Sequence, residues 1–249
     1  ELLDIAYVGS GVAGSAVGMD KLLMKDLFKA HGIEQAAYFG FDRDEWESTQ
    51  SGVLDRIEQT CGFPCFVKPA NLGSSIGITK AENREELVSS VKQALQYDEK
   101  VVVEKRIRGR EVEMGVLGNG DLNVSVPGEI TFESEFYDYQ SKYQDGAATL
   151  VIPAHLEEKQ VTEMESLAKK AFKILNCKGL ARADFFIEEG SGRLLLNELN
   201  TMPGFTPYSM FPLLWKHTGV SYKDLIATLI NLGLERHQKR KSLKHRIEE

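Results

Sequence analysis

Cysteine is scarce in this sequence, and the chain has no apolar run long enough to span a bilayer. Cys61 and Cys65 are separated by Gly-Phe-Pro, which is not a CxxC spacing, and no histidine lies nearby. They therefore predict small core residues rather than a metal site, and a reducing cytoplasm is the simplest location. The formal net charge of −7 disfavours non-specific binding to nucleic acid or to an anionic membrane.

Several catalytic motifs are also missing. The chain has no GxxxxGK[ST] segment, which excludes a Walker-type ATPase, and it has neither GxSxG nor HExxH. Its five histidines form no pair at metal-ligand spacing. A GxGxxG motif spans residues 9–14, but the nearest candidate acid, Asp42, lies too far along for a dinucleotide-binding turn. An NAD-dependent oxidoreductase and tight glycine packing are the two interpretations of this motif.

The overall composition is typical of a soluble globular protein with one or two domains: the chain has 249 residues, of which 42% are hydrophobic and 27% charged. Periodicity and turn residues predict a mixture of helices and strands. Helices are predicted at about 19–32, 45–60, 82–95, 159–175 and 222–234, and strands at 36–41, 63–68, 101–104, 111–117 and 122–131. The stretch 63–111 resembles a βαβ unit. The basic residues 237–246 fit a solvated helix terminus better than a nucleic-acid tail.

Two apolar runs joined by Gly190-Ser191-Gly192 predict a β-hairpin. With the turn centred on Ser191, three pairs face each other on one side of the sheet: Asp184 with Glu198, Arg182 with Asn200, and Phe186 with Leu196. Facing carboxylates repel each other unless they are protonated or bridged by a cation. Oxygen ligands without His or Cys favour Mg²⁺ or Mn²⁺, which often accompany nucleotide phosphates. The alternative is a structural ion pair in which Arg182 neutralises the acids.

A second candidate site follows the apolar strand that ends at Lys68. Gly73 and Gly77 bracket two serines, Ser74 and Ser75, so backbone N–H groups and hydroxyls could surround a phosphate. The alternative is an ordinary strand-to-helix turn with an exposed lysine. The strand at 101–107 resembles a linker between two sheets, where a nucleotide base could pair with backbone groups.

The motifs occur in the order Lys21, Lys68, Gly73-Ser74-Ser75, Glu104-Lys105, Glu111, YDYxxKY at 137–143, Arg182-x-Asp184 and NExNTxPGF at 197–205. In this order they resemble the D-alanine–D-alanine ligases of the ATP-grasp superfamily, over about residues 1–235. The resemblance implies an α/β (α+β) ATP-grasp fold, in which two domains, each with a sheet flanked by helices, hold ATP between them.

The resemblance also implies domain boundaries. Residues 1–20 would be the tail of a missing N-terminal α/β domain, 21–111 the central domain, 112–235 the C-terminal domain and 236–249 a basic tail. Within the C-terminal domain, 136–150 would be a mobile loop that closes over the site. The missing domain would supply a glutamate and a histidine that hold the first D-alanine, so a protein without it is expected to bind ATP but form little dipeptide.

The resemblance also implies which residues bind the ligands. The implied ATP contacts are Lys21 and Lys68 at the phosphates, Ser74 and Ser75 in the loop over them, Glu104, Lys105 and Ile107 at adenine, Glu111 at the ribose, and Phe136 and Asn197. The implied ligands of two Mg²⁺ or Mn²⁺ ions are Asp184, Glu198 and Asn200. The implied catalytic residues are Arg182, Gly204 and Ser74, and the implied D-alanine contacts are Lys142, Tyr143, Arg182, Gly204 and Ser209. Arg106 departs from the family, which often carries an apolar residue there.

The implied reaction joins two D-alanines through an acyl phosphate formed from ATP, for peptidoglycan precursor and cell-wall synthesis. It needs no protein nucleophile, which agrees with the lack of one in the motifs. Tyr143 together with Lys142 favours D-alanine as the acceptor. The alternatives are a D-alanine–D-lactate or other D-amino-acid ligase of the same fold, and a nucleotide-binding module without turnover. A homodimer is expected because members of the family commonly dimerise.

Overall fold

Two antiparallel sheets organise the chain, and the computed structural model describes residues 1–132 and 148–243. The first sheet has four strands in the order β1-β4-β2-β3: β1 (Tyr38–Asp42), β2 (Cys65–Pro69), β3 (Thr79–Ala81) and β4 (Lys100–Lys105). In β2 the alternate residues Cys65, Val67 and Pro69 are buried, as expected for a strand with one face on a core.

Helices α3 (Arg43–Thr60) and α4 (Arg84–Ala94) contact this sheet and close its core. Each begins at a side-chain cap, since Asp42 accepts a 2.8 Å hydrogen bond from Glu45 N and Asn83 accepts one of 3.0 Å from Glu86 N. Both predicted helices are therefore confirmed, with bounds shifted by one or two residues.

The predicted βαβ unit is wrong, because β2 and β4 pair antiparallel, with Val67 opposite Val103. The reason is strand β3, which pairs antiparallel with β2 and reverses the chain before α4 begins. At three residues, β3 is too short to show an alternating pattern in the sequence.

The second sheet has the order β10-β9-β5-β7-β8, with a short strand β6 paired to β5. Its strands are β5 (Gly109–Gly118), β6 (Asn123–Val124), β7 (Gly128–Phe132), β8 (Ala148–Val151), β9 (Gly179–Glu188) and β10 (Leu194–Asn200). The single strand predicted at 122–131 is thus two strands. Between them Ser125 Oγ accepts from Gly115 N, and Pro127 has no N–H to donate to a ladder.

Helices α2 (Lys21–Ala30) and α5 (Glu158–Ile174) cover one face of the second sheet and bury a core that includes Phe28, Phe172 and Phe185. On the opposite face lie α6 (Met210–His217) and α7 (Tyr222–Lys241), with Phe211 and Trp215 at their centre. Helix α7 runs further than the predicted 222–234. Within the described ranges, no helix is long and apolar enough to cross a membrane.

The glycine motif at 9–14 leads into helix α1 (Val12–Met19), but residues 5–8 before it are not in a strand. A Cβ on Gly14 would lie 2.8 Å from the backbone oxygen of Asn176. The motif therefore reflects close packing of backbone against backbone, and the NAD interpretation is wrong.

Candidate functional site

A cleft of about 680 Å³ is lined by residues of both sheets. Its size lies within the ~300–1,000 Å³ typical of small-molecule sites. Ten of the residues predicted from the sequence line it: Lys21, Lys68, Ser74, Ser75, Glu104, Lys105, Ile107, Glu111, Asn197 and Glu198. Among the described residues, five predicted ones are not part of this lining: Arg182, Asp184, Asn200, Gly204 and Ser209. Phe136, Lys142 and Tyr143 lie outside the described residues.

At the floor of the cleft, two lysines share one carboxylate oxygen. Lys68 Nζ lies 3.0 Å and Lys25 Nζ 3.3 Å from Oε2 of Glu104. Glu104 is only 3% exposed. Burial acts to raise the pKa of Glu104, but attraction to the two ammonium groups outweighs it and lowers that pKa to about 2. Burial lowers the pKa of Lys25, partly offset by Glu104. The other oxygen of Glu104, Oε1, is buried and finds no hydrogen-bond partner among the described residues.

Helix α2 brings Lys21 and Lys25 to the same side because they are four residues apart. Its first turn is fixed by Asp20, which accepts from Leu22 N and Leu23 N and forms a 2.7 Å ion pair with Lys100 of the first sheet. Lys21 Nζ donates to the backbone oxygen of Leu72 and lies 3.9 Å from Glu198 Oε2. The amine of Lys21 therefore connects the loop at residues 70–78, here called the serine loop, with Glu198 on β10.

The serine loop has a strained backbone. Ser74 and Ser75 have φ angles of +55° and +58°, both in the left-handed region that residues other than glycine rarely adopt. Such a conformation costs roughly 1–3 kcal/mol per residue and is concentrated at functional sites. Both serines line the cleft.

The predicted hairpin is present, but its register changes along its length. Asp184 lies opposite Glu198 and Arg182 opposite Asn200, as predicted. The third predicted pair is wrong, since Phe186 pairs with Leu195 rather than Leu196.

A β-bulge between Leu196 and Glu198 causes the difference by inserting Asn197 without a partner. Leu196 consequently belongs to the core, while the consecutive residues Asn197 and Glu198 both line the cleft.

Beside the cleft, the second sheet carries three acids in one row on adjacent strands: Glu113, Asp184 and Glu198. Arg182 donates two hydrogen bonds of 2.7 Å to Asp184, and its Nε also lies 2.9 Å from Glu113 Oε2. Burial opposes the charge of Arg182, but attraction to these two carboxylates raises its pKa further above its usual value.

Gly204 and Ser209 lie close together after β10. A Cβ on Gly204 would be 3.2 Å from Ser209 Oγ, and that hydroxyl lies 3.1 Å from Thr206 N and 2.9 Å from Thr206 Oγ1. The loop that contains Gly204 is therefore shaped by the side chain of Ser209.

The family model described as "D-ala D-ala ligase C-terminus" matches residues 27–231 of this chain. The chain belongs to the D-alanine–D-alanine ligase family. It is 52% identical over 244 residues to the D-alanine–D-alanine ligase of Bacillus pumilus (strain SAFR-032), covering 98% of this chain and 68% of that protein. The ligase of Staphylococcus carnosus (strain TM300) is 48% identical over 248 residues, covering all of this chain and 69% of the relative.

Two solved structures have the same fold. The D-alanine-D-alanine ligase from Coxiella burnetii matches with a TM-score of 0.82 and 37% identity, over 96% of this chain and 63% of that one. The VanG D-Ala:D-Ser ligase from Enterococcus faecalis matches with a TM-score of 0.81 and 34% identity, over 91% of this chain and 64% of that one. The predicted family, ATP-grasp fold and ligase class are thereby confirmed, and this chain spans about two thirds of the length of its ligase relatives.

ATP and a divalent metal are used by the D-alanine–D-alanine ligases, and the predicted metal ligands lie on β9 and β10 of the second sheet. Asp184 and Glu198 face each other on adjacent strands, with Asn200 on the same face, so the donors are hard oxygens that suit Mg²⁺ or Mn²⁺. Over residues 1–132 and 148–243, no three His, Cys, Asp or Glu side chains converge on one metal position. Both oxygens of Asp184 instead accept from Arg182, which is the ion pair considered as the alternative.

The sequence did not indicate two residues beside the cleft. Lys25 shares the helical face of Lys21 at a spacing of four, which is the signal that could have identified it. Glu113 lies two positions after Glu111 on β5, but nothing in the sequence shows that β5 pairs with the strand of Asp184.

Proposed function

We propose that this chain forms the nucleotide-binding and ligation part of an ATP-dependent ligase that joins two D-alanines for peptidoglycan precursor synthesis. The observation that carries the proposal is the buried Lys25–Glu104–Lys68 cluster. One carboxylate oxygen of Glu104, which lines the cleft, has no hydrogen-bond partner in the part of the chain that the structure describes. An acceptor left without a donor in a buried position costs free energy that a ligand donor would recover.

The adenine end of ATP would lie beside Glu104. Its Oε1 would accept a hydrogen bond from the exocyclic amine of adenine, and the linker residues Lys105 and Ile107 line the same part of the cleft. Glu111, also in the lining, would accept hydrogen bonds from the ribose hydroxyls. Asn197 would also contact the nucleotide, because it lies on the bulge and lines the cleft.

The phosphates would lie between Lys21 and Lys68. Both amines line the cleft, and the serine loop borders it, so Ser74 and Ser75 would add hydroxyl and backbone N–H donors. Cationic donors of this kind stabilise the charge that develops on a phosphoryl group during transfer. Ser74 would thereby contribute to catalysis as well as to binding.

A divalent metal would be held by Asp184, Glu198 and Asn200, and we propose two Mg²⁺ or Mn²⁺ ions. The bound metal would supply charge neutralisation for the ATP phosphates. The chain's own part is to keep Glu198 in the cleft through the bulge at Asn197, and to balance the charge of Asp184 with Arg182.

In the reaction, the carboxylate of one D-alanine attacks the γ-phosphate of ATP and ADP leaves. The amine of the second D-alanine then attacks the acyl phosphate and expels phosphate. Arg182 and the backbone N–H of Gly204 would donate to the oxyanion of the second step. Ser209 and Lys142 would bind the carboxylate of the second D-alanine, with Tyr143 favouring D-alanine over D-lactate.

The test is release of ADP by the full-length protein that contains this chain, with Mg²⁺ and D-alanine, against reactions without D-alanine or with L-alanine. Release only with D-alanine, together with dipeptide on a chromatogram, is the expected result. Lys68→Met should abolish release, whereas Lys92→Met, at an exposed position on α4, should not change it. ATP binding without D-alanine-dependent release would overturn the ligase proposal in favour of a binding module.

The acceptor needs its own experiment, because the VanG relative is named a D-Ala:D-Ser ligase. D-serine and D-lactate should each compete poorly with D-alanine in mixed reactions. A product dominated by either one would overturn the choice of D-alanine while leaving the ligase fold and nucleotide site intact. The homodimer and the cytoplasmic location remain predictions, which molar mass in solution and cell fractionation would test.

A further inference from the structure

We propose that Lys25 is a positioning residue of the nucleotide site, which holds Glu104 so that the positive charge of Lys68 remains available to the phosphates. The inference rests on the proposed nucleotide site and concerns a residue that would not contact the ligand itself. Lys68 and Glu104 line the cleft, whereas Lys25 is not among the described residues of that lining.

The first argument is the charge of the cluster. Both amines contact the same atom, Glu104 Oε2, at 3.3 Å from Lys25 and 3.0 Å from Lys68. With both lysines charged, the cluster carries a net charge of +1. Without Lys25, Glu104 and Lys68 would form a neutral pair, and an anion in the cleft would compete with Glu104 for the ammonium group of Lys68. Because Lys25 is 1% and Glu104 3% exposed, water screens the attraction between their charges only weakly.

The second argument is the contact of Lys25 with the second sheet, whereas Glu104 belongs to the first. Its Nζ lies 3.3 Å from the backbone oxygen of Asn197, the bulge residue of β10. The same amine lies 5.6 Å from the centre of the Tyr38 ring on β1. One buried ammonium therefore connects α2 with both sheets at the point where the consecutive residues Asn197 and Glu198 turn into the cleft.

The experiment measures the affinities of the full-length protein for ATP and for adenosine by calorimetry. Lys25→Met should weaken ATP binding about tenfold or more, because the phosphates depend on the charge of Lys68. Adenosine binding should change less than about twofold, because Lys68 still contacts Glu104 at 3.0 Å and keeps it beside the adenine. Lys29→Met is the matched control, since Lys29 lies one turn further along α2 and is exposed. It should leave both affinities unchanged.

A second variant separates positioning from folding. In Lys25→Met combined with Glu104→Gln the carboxylate charge is also removed, so the cluster returns to a net charge of +1 and the amide still offers an acceptor oxygen. ATP affinity should return to within about threefold of the wild-type value, which is non-additive behaviour that a merely structural role would not produce. If Lys25→Met does not fold, the same comparison is made between the double variant and the wild type.

Three results would overturn the inference: unchanged ATP affinity in Lys25→Met, an equal loss for ATP and adenosine, or an ATP loss in the double variant at least as large as in the single one. In each case the wild-type protein still binds ATP, so the proposed function survives. Absence of ATP binding by the wild type would instead overturn both proposals.

Discussion

Replacing Arg182 by methionine tests the charge balance beside the cleft. The arginine side chain is 19% exposed and contacts Asp184 and Glu113, whose side chains are 12% and 8% exposed. Methionine fills a similar volume but removes the guanidinium charge that contacts two neighbouring carboxylates. Breaking a buried ion pair from one side costs about 3–5 kcal/mol, and we expect the free energy of unfolding to fall by that amount at about pH 7 without divalent metal.

The pH dependence gives the sign of the effect. In the variant, the fold favours the protonated form of Asp184 and Glu113, because burial and mutual repulsion both oppose their charges. Stability should therefore be recovered as the pH falls and the carboxylates become neutral, so the loss relative to the wild type should be smaller at about pH 4 than at about pH 7.

Urea denaturation followed by circular dichroism measures both values. Arg193→Met is the matched control on the same hairpin: Arg193 contacts Glu188 at 2.9 Å but is 58% exposed, so its removal should cost less than about 1 kcal/mol. D-alanine-dependent ADP release by Arg182→Met should fall by about 10²–10³. A stability loss below about 1 kcal/mol, or an equal loss at both pH values, would refute the reasoning that Arg182 balances the charge of these carboxylates.

Three further results are expected. The pKa of Glu104 is about 2 in the folded protein, against 4.5 when unperturbed, so its contribution to stability is present above about pH 5 and is lost as the pH falls. Between about pH 5 and pH 2.5, the wild type should therefore lose more stability than Glu104→Gln in acid titrations followed by fluorescence. Phe172→Ala should cost about 3–5 kcal/mol in urea denaturation because the ring is 1% exposed, whereas Tyr97→Ala, at an exposed site, should cost less than about 1 kcal/mol. Gly14→Ala should lower the melting temperature because the added methyl would lie 2.8 Å from a backbone oxygen, whereas Gly120→Ala, with no described atom within 4 Å of the new methyl, should not.

The sequence predicted the chemically important half of the hairpin but not the apolar half. The pairing of Asp184 with Glu198 followed from the visible turn, and both turn glycines do adopt positive φ angles, +80° and +68°. The bulge at Asn197 could not be predicted, because three successive leucines precede it and are compatible with either face of a strand. Only packing against the core decides that Leu196 points inward.

The missed residues were those whose roles depend on partners far away in the sequence. Lys25 is one of several lysines on a helix until Glu104, 79 positions later, is placed against it. Glu113 is one acid of an acidic strand until β5 and β9 are paired. Short-range periodicity carries no information on such contacts, whereas a family resemblance brings some of them in together with the motifs.

The hydrogen bond from Lys25 to the backbone oxygen of Asn197 joins residues 172 positions apart. During synthesis on a ribosome, the first sheet and the lysines of α2 emerge long before β10 does. The nascent chain therefore cannot complete the nucleotide site until nearly all of the described fold has been translated. ATP can stabilise the finished fold by mass action, but it cannot guide the earlier steps by which the first sheet forms.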